Sequence, residues 1–216
     1  FFLSKAQQKN QKPNIIFIMA DDLGYGDVQS FTPTSKIPTP NLNRLAAEGL
    51  SFTNAHAPAS VCTPTRYSLL TGRYSWRSDM KKGVTWVWDG PMIDKERFTI
   101  GEMLKKQGYS SACIGKWHLG VNWPTTDGKP ATLQNKGKNV DYDSPIENGP
   151  IDRGFDYYFG QEVPSFPPHA FIENDRVIVK PTDTLPAGIS GIGGAMAPGW
   201  RYEDLMYTIT GKSIDY

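Results

Sequence analysis

The chain has 216 residues and carries 23 Lys+Arg against 22 Asp+Glu, a net charge of +1 with neutral histidines. A hydrophobic share of 38% excludes a disordered composition, and the balanced charge without a basic run argues against a nucleic-acid or membrane surface. This length is sufficient for one α/β domain with a sizeable core.

The N-terminus is typical of the end of an export signal. "FFLSKA" has Ser4 and Ala6 at the small-residue positions of a cleavage site, and the polar "QQKNQKPN" follows. We therefore predict a signal-peptide remnant and flexible N-terminus over residues 1–13, a catalytic domain over 14–216, and a secreted or periplasmic location. A short disordered tail is the alternative. No apolar run is long enough to span a membrane.

Residues 14–57 predict a strand, a helix and a second strand. "NIIFIMA" is a continuous apolar run, typical of a strand buried on both faces of a parallel sheet, and it ends at Asp21 and Asp22. "TPNLNRLAAEGL" predicts a helix capped by Thr39, with Leu42 and Leu45 facing the core. "LSFTNAHA" predicts a short strand.

A second helix is predicted in "VCTPTRYSLLTGR". Thr63 is expected to cap it, with Pro64 in its first position, inward-facing leucines and Gly72 at its end. Cys62 then lies at or just before a helix N-terminus, where backbone N–H groups favour negative charge. Arg66 follows one turn later and can face the same pocket.

"TIGEMLKKQGYSSACIGKWHLG" repeats the order helix, strand, polar loop. Thr99 and Glu102 form a capping-box pattern, "YSSACIG" predicts a strand, and Lys116 and His118 follow its end. Because open α/β sheets bind ligands beyond the carboxyl ends of their strands, these residues and the Asp21–Asp22 pair point to one crevice. The expected fold is α/β, with a mostly parallel central sheet flanked by helices.

The rest of the chain is less regular. "FIENDRVIVK" predicts a hairpin turning at Asn174-Asp175, residues 181–200 predict a loop, and "YEDLMYTITGKSIDY" begins a helix in which the chain stops. A domain rarely ends inside a helix, so we expect the C-terminal portion of the domain to be missing. Four tryptophans in predicted loops can stack on a sugar or simply pack those loops: Trp76, Trp86, Trp88 and Trp123.

Each candidate residue has a functional and a structural interpretation. The adjacent acids Asp21 and Asp22 suit a hard divalent cation or a solvated turn. Lys116 and His118 suit anion binding and proton transfer, or a surface loop around a packed tryptophan. Cys62 suits a nucleophile or a small buried apolar residue, and the sequence does not decide whether it pairs with Cys113.

Together, four stretches resemble one family. "PNIIFIMADDLGYGD", "TPNLNRLAAEGLSFTNAHA", "CTPTRYSLLTGR" and "GKWHLG" stand in the order found in formylglycine-dependent sulfatases, arylsulfatase-like members of the alkaline-phosphatase-like superfamily. The resemblance implies a hydrolase that cleaves the sulfate ester of a carbohydrate or aryl compound. It also implies a formylglycine-generating enzyme as the maturation partner, because that enzyme oxidises the cysteine of Cys-x-Pro-x-Arg to an aldehyde.

The resemblance assigns roles to individual residues. Cys62 becomes formylglycine, whose hydrate is the nucleophile. Arg66 holds the diol, Lys116 contacts the sulfate oxygens, and His118 takes a proton during elimination. The metal ligands, which hold calcium or alternatively magnesium, are Asp21, Asp22 and the modified Cys62.

The chain also departs from the family pattern. Thr63 and Thr65 stand where serine is usual, and the family's second metal pair, second histidine and second lysine are expected only beyond Tyr216. Ser165 and His169 lie where relatives line the pocket, with a loop role as the alternative. Two other functions stay open: a phosphonate monoester or phosphodiester hydrolase of the same superfamily, and a non-catalytic anion- or glycan-binding fragment.

Overall fold

A computed structural model describes residues 12–189 and 191–216. The chain divides into two compact units, Phe1–Ala55 and His56–Tyr216, which are described separately. Most of the predicted signal-peptide remnant lies outside the described residues. None of the helices among the described residues combines the length and apolar character needed to cross a bilayer.

The described residues of the first unit contain one α-helix. Helix α1 spans Pro40–Glu48, as predicted, after a 3-10 helix at Tyr25–Asp27. Thr39 is the N-cap residue, but its hydroxyl donates to Asn43 Oδ1 (3.1 Å) and accepts from the backbone N–H of Gln29 (3.0 Å) instead of capping the helix. The predicted inward face is wrong, because Leu42 and Leu45 are both exposed.

Both strands predicted in the first unit are wrong. The described part of the chain has no strand at residues 14–20 or 50–57, and Ile16 and Ile18 are 87% and 85% exposed. An apolar run favours burial, but a strand also needs a hydrogen-bonding partner that its own sequence does not specify. Among the described residues, neither segment is paired as a strand.

The second unit is an α/β arrangement whose core strand pair is parallel. Strands β1 (Ala112–Lys116) and β2 (Tyr157–Gln161) pair in parallel register, with Lys116 opposite Gln161. Strands β3 (Ile172–Glu173) and β4 (Arg176–Val177) extend the sheet antiparallel in the order β1-β2-β3-β4. The sheet is therefore mixed, with one parallel pairing of three. The elements of this sheet and its helices are α2 Cys62–Thr71, α3 Ile100–Lys106, β1 Ala112–Lys116, β2 Tyr157–Gln161, β3 Ile172–Glu173, β4 Arg176–Val177 and α4 Leu205–Asp215.

Several local predictions in this unit are confirmed. Thr99 and Glu102 form the capping box of α3. The predicted hairpin turns at Asn174, whose φ of 57° suits a tight connection. The loop predicted over 181–200 is wrong in part, because it contains a second hairpin, β5 Asp183–Leu185 with β6 Gly194–Met196.

Helix α2 begins earlier than predicted. Its N-cap is Val61, so Cys62 is the first helical residue, and Thr63 and Pro64 follow in the first turn. Gly72 ends the helix with a left-handed φ of 64°, as expected. Thr63 is no cap, because its hydroxyl is used in a contact with the loop after β1.

The core packs α2 against the parallel strands. Tyr67 of α2 is fully buried beside Trp117 and Tyr158. A second cluster lies under the long loops and contains Val87 and Trp88, with Trp123 packed against it. These packed loops and the parallel strands position the site at the start of α2.

Candidate active site

The N-terminus of α2 faces the carboxyl end of β1. The Lys116 ammonium donates to Cys62 Sγ at 3.2 Å. In this unmodified chain, Sγ stands in for the oxygen that an aldehyde or its hydrate would carry on the same carbon. The ammonium therefore lies where it can contact an oxygen bound to that carbon, or an anionic group transferred to it.

Arg66 joins the helix to the same strand end. It lies one turn after Cys62, and its Nη1 donates to the backbone oxygen of Lys116. This bond links the two elements that carry the thiol and the ammonium. It indicates that Arg66 orients Lys116 as well as adding positive charge near the thiol.

Thr63 connects the start of α2 to His118. Its hydroxyl donates to the backbone oxygen of His118 (3.0 Å), and it lies 3.2 Å from the hydroxyl of Thr85. Thr85 also donates to the His118 oxygen at 3.2 Å. Two buried threonines thus hold the backbone of the Lys-Trp-His segment against the first turn of the helix.

The ring of His118 has a defined tautomer if it is neutral. His118 is 6% exposed, and its Nε2 lies 2.8 Å from the backbone oxygen of Thr85, an acceptor, so Nε2 must carry the hydrogen. In a neutral ring, Nδ1 then bears the lone pair. His118 has a left-handed backbone, with φ of 55°, which is uncommon outside glycine.

Sequence reasoning missed one acid at this edge of the sheet. Glu162 follows β2 directly and is 3% exposed, and its Oε1 accepts from the Gly120 N–H at 2.8 Å. Its Oε2 has no hydrogen-bond partner among the described residues. Desolvation raises the pKa of Glu162 to about 8, although the Gly120 hydrogen bond and the charges of Arg66 and Lys116 act in the opposite direction. The signal that could have identified it is an acidic residue directly after the apolar strand "YYFGQ".

The two aspartates of the predicted metal site lie in the first unit. Asp21 and Asp22 are both exposed and follow the extended apolar run. Their carboxylates are the hard oxygen donors that calcium and magnesium take, so their chemistry fits such a cation. Among residues 12–189 and 191–216, no three His, Cys, Asp or Glu side chains come together as a metal site.

Ser165 and His169 differ in their surroundings. His169 is fully buried, its Nε2 donates to the Ile192 oxygen (3.0 Å), and the Tyr202 hydroxyl donates to Nδ1 (3.1 Å). Burial lowers the pKa of His169. This arrangement favours a loop role over a substrate contact for His169. Ser165 is half-buried, and its backbone oxygen accepts from the Ile192 amide.

The two cysteines are separate thiols. Neither Cys62 nor Cys113 forms a disulfide, so the structure holds no Cys62–Cys113 bridge. Cys113 packs against the core, and desolvation raises its pKa to about 12, which keeps it protonated. Cys62 is therefore the thiol that lies beside a cation at a helix N-terminus.

Comparisons with known proteins point to one family. A family model described as Sulfatase matches residues 13–181. An N-acetylgalactosamine-6-O-sulfatase of Bacteroides thetaiotaomicron is 39% identical over 182 residues, covering 82% of this chain and 32% of that protein. Arylsulfatase A of Homo sapiens is 48% identical over 109 residues, covering 50% of this chain and 21% of that protein.

Solved structures agree with these matches. A protein solved in connection with the metabolism of multiple glycosaminoglycans by Bacteroides thetaiotaomicron has a TM-score of 0.77 and 32% identity, covering 95% of this chain and 48% of that chain. Ps i-CgsB has a TM-score of 0.53 and 34% identity, covering 69% of this chain and 28% of that chain. The chain thus spans about a third or less of the length of the two curated relatives and about half or less of these structures.

Proposed function

Because the chain belongs to the sulfatase family, we propose that the full-length protein hydrolyses the sulfate ester of a carbohydrate or aryl compound through a formylglycine made from Cys62. The observation that carries this proposal is the 3.2 Å contact between Lys116 Nζ and Cys62 Sγ at the first residue of α2. It supports a nucleophilic oxygen on that carbon with a cation beside it.

The chemistry requires two oxygens on one carbon. A formylglycine-generating enzyme oxidises the Cys62 side chain to an aldehyde, with molecular oxygen as the oxidant and with loss of the sulfur, and water adds to give a geminal diol. One hydroxyl gives up its proton and attacks the ester sulfur while the bond from sulfur to the ester oxygen breaks, and the departing oxygen takes up a proton and leaves as an alcohol. His118 then accepts the proton of the second hydroxyl, the carbonyl re-forms, and sulfate leaves.

The basic side chains stabilise charge during both steps. Lys116 binds the sulfate oxygens, and Arg66 orients Lys116 through its backbone oxygen and offsets negative charge on the diol. In neutral His118, Nδ1 is the nitrogen that can accept a proton, because Nε2–H donates to Thr85. The imidazolium that forms keeps the Thr85 hydrogen bond.

A divalent cation, calcium or alternatively magnesium, is part of the proposal. Asp21, Asp22 and an oxygen of the modified Cys62 would hold it. When bound, the cation supplies Lewis acidity to the sulfate and nucleophile oxygens. The remaining ligands and the acid that protonates the leaving alcohol are expected from sequence beyond Tyr216.

We also propose that residues 14–216 are the N-terminal portion of the catalytic domain, and that the protein is secreted or periplasmic. The location rests on the apolar N-terminal segment and its small residues at Ser4 and Ala6. Detection of the protein in the periplasm or medium, with the segment removed, tests it.

The experiment that tests the mechanism is mass spectrometry of the tryptic peptide containing Cys62. Co-expression with the formylglycine-generating enzyme should convert the thiol to an aldehyde and raise aryl sulfatase activity in proportion. Cys62→Ser is the matched variant, because its single hydroxyl can be sulfated but cannot eliminate. It should accumulate a stable sulfated peptide without multiple turnovers.

Three outcomes count against this proposal. Fully active protein with an intact thiol at Cys62 refutes the formylglycine mechanism. Faster hydrolysis of an aryl phosphate ester or phosphonate monoester than of the aryl sulfate favours the phosphohydrolase alternative. Binding of sulfate esters without any turnover by modified full-length protein favours the non-catalytic alternative.

A further inference from the structure

A basic cleft adjoins the site within the second unit. Its volume is about 700 Å³, which is in the range of sites for small organic ligands. Four basic side chains line it, three of them four residues apart along the chain and the last directly after the third: Arg73, Arg77, Lys81 and Lys82. Nothing in the proposed hydrolysis of a simple aryl sulfate requires these residues.

The positive charge of this cleft is not balanced by neighbouring carboxylates. In the described ranges, none of the four basic side chains forms an ion pair within 4.0 Å. Arg73 donates to the Arg77 backbone oxygen, and Lys81 donates to two backbone oxygens. These neutral acceptors orient the cations without cancelling their charge.

Two acids also line the cleft, and they do not reverse its sign. Asp94 lies 3.8 Å from Arg97, which offsets its charge. Asp79 is exposed beside the basic segment. Four cations against two carboxylates leave a positive concave surface, and such a surface concentrates the field that attracts anions.

One wall of the cleft is shared with the candidate active site. Thr85 lines the cleft, hydrogen-bonds the Thr63 hydroxyl at 3.2 Å, and accepts from the His118 ring at 2.8 Å. The basic surface therefore extends from the wall behind His118 towards the segment that follows α2. A molecule whose sulfate ester reaches Cys62 can place other parts along this surface.

We propose that the cleft binds the additional sulfate or carboxylate groups of an acidic sulfated oligosaccharide whose ester is cleaved at Cys62. This inference rests on the proposed function and names its substrate class. An aryl monosulfate is too small to use the cleft, whereas an oligosaccharide with an anionic group on each sugar can contact several of the four cations. Arg77 and Lys82 are the members expected to contact it, because both are exposed and neither donates to a backbone oxygen in a described hydrogen bond.

The test compares two substrates with the modified full-length protein. The double variant Arg77→Glu/Lys82→Glu should lower kcat/KM for a chondroitin 6-sulfate tetrasaccharide by ~10-fold or more, which corresponds to ~1.4 kcal/mol. Its kcat/KM for 4-nitrocatechol sulfate should change less than twofold. Added salt should lower kcat/KM for the tetrasaccharide in the parent protein and should have much less effect on it in the double variant.

The matched control is Lys136→Glu/Lys138→Glu, which makes the same change of charge at exposed positions outside the cleft. It should leave both substrates unaffected. Equal losses for tetrasaccharide and aryl sulfate in the cleft variant, or an equal loss in the control, overturn the proposal, since both mean a general effect of charge or folding.

A binding arm separates this inference from the proposed function. Calorimetry with Cys62→Ala protein should detect the tetrasaccharide, and the added cleft substitutions should weaken that binding by a similar factor. If the cleft binds the tetrasaccharide but the modified protein hydrolyses no sulfate ester, the proposed function is refuted and the binding role of the cleft is retained. If the modified protein hydrolyses aryl sulfate but the cleft substitutions leave tetrasaccharide binding unchanged, the proposed role of the cleft is refuted and the proposed function is not.

Discussion

Glu162→Gln is the substitution whose effect the site geometry defines most sharply. The carboxyl is buried, accepts from the Gly120 N–H through Oε1, and lies within electrostatic reach of Arg66 and Lys116. The Tyr158 hydroxyl also interacts with it electrostatically, and this hydroxyl is uncharged near neutral pH because burial raises its pKa. Glutamine preserves the shape and the acceptor oxygen but cannot ionise.

The magnitude follows from the pKa of Glu162. The rise in its pKa from 4.5 to about 8 on folding corresponds to a cost of about 5 kcal/mol for ionising the carboxyl in the folded protein, because each pKa unit is worth about 1.4 kcal/mol. Below about pH 4.5 the carboxyl is protonated in both states, so ionisation has no effect on stability. Between pH 4.5 and about 8 only the unfolded chain ionises, so stability falls as pH rises, and above about 8 the full cost is present.

Urea unfolding of the full-length protein at pH 5 to 9 measures this effect. The two proteins should have similar free energies of unfolding near pH 5, and Glu162→Gln should be the more stable by several kcal/mol near pH 9. Glu147→Gln, at an exposed position, is the control and should show no such trend. If Glu162→Gln instead becomes the less stable of the two proteins as pH rises, the ionised carboxylate of the parent pairs with Arg66 or Lys116, and the reasoning from burial fails.

Two further predictions concern the start of α2 and the metal. Thr63→Ala should lower kcat for aryl sulfate at least several-fold, because it removes the hydroxyl that holds the His118 backbone. Thr63→Ser should retain most activity. Equal kcat values for Thr63→Ala and the parent protein, at equal formylglycine content, would contradict this role. Asp21→Ala or Asp22→Ala should reduce bound calcium below one ion per full-length protein, as measured by equilibrium dialysis. The control Glu48→Ala should retain the calcium. Stoichiometric calcium in both aspartate variants would refute the metal site.

The local features of the second unit could be predicted because short-range chemistry determines them. The capping box at Thr99 and Glu102, the turn at Asn174 and the end of α2 at Gly72 each depend on residues within a few positions. The contact between Cys62 and Lys116 could be anticipated only through the family resemblance, which assigns both residues to one site.

The failed predictions required long-range information. The run at 14–20 has the composition of a strand, but its sequence does not name a partner, and a strand exists only as part of a ladder. Leu45 has helical spacing but lies exposed, because a pattern indicates which face is apolar without supplying what covers it. Glu162 was missed because burial, which raises its pKa, is a tertiary property.

The protonation of Glu162 bears directly on the charge of the site. If the carboxyl is neutral near pH 7, it does not cancel the positive charge of Arg66 and Lys116, and both remain able to stabilise an anionic sulfate ester. An acid of ordinary pKa in this position would place a negative charge against the group that the site must attract. Burial beneath the Lys-Trp-His segment therefore lets Glu162 brace the Gly120 backbone at a small electrostatic cost to the binding of an anion, and that cost grows as pH rises towards 8.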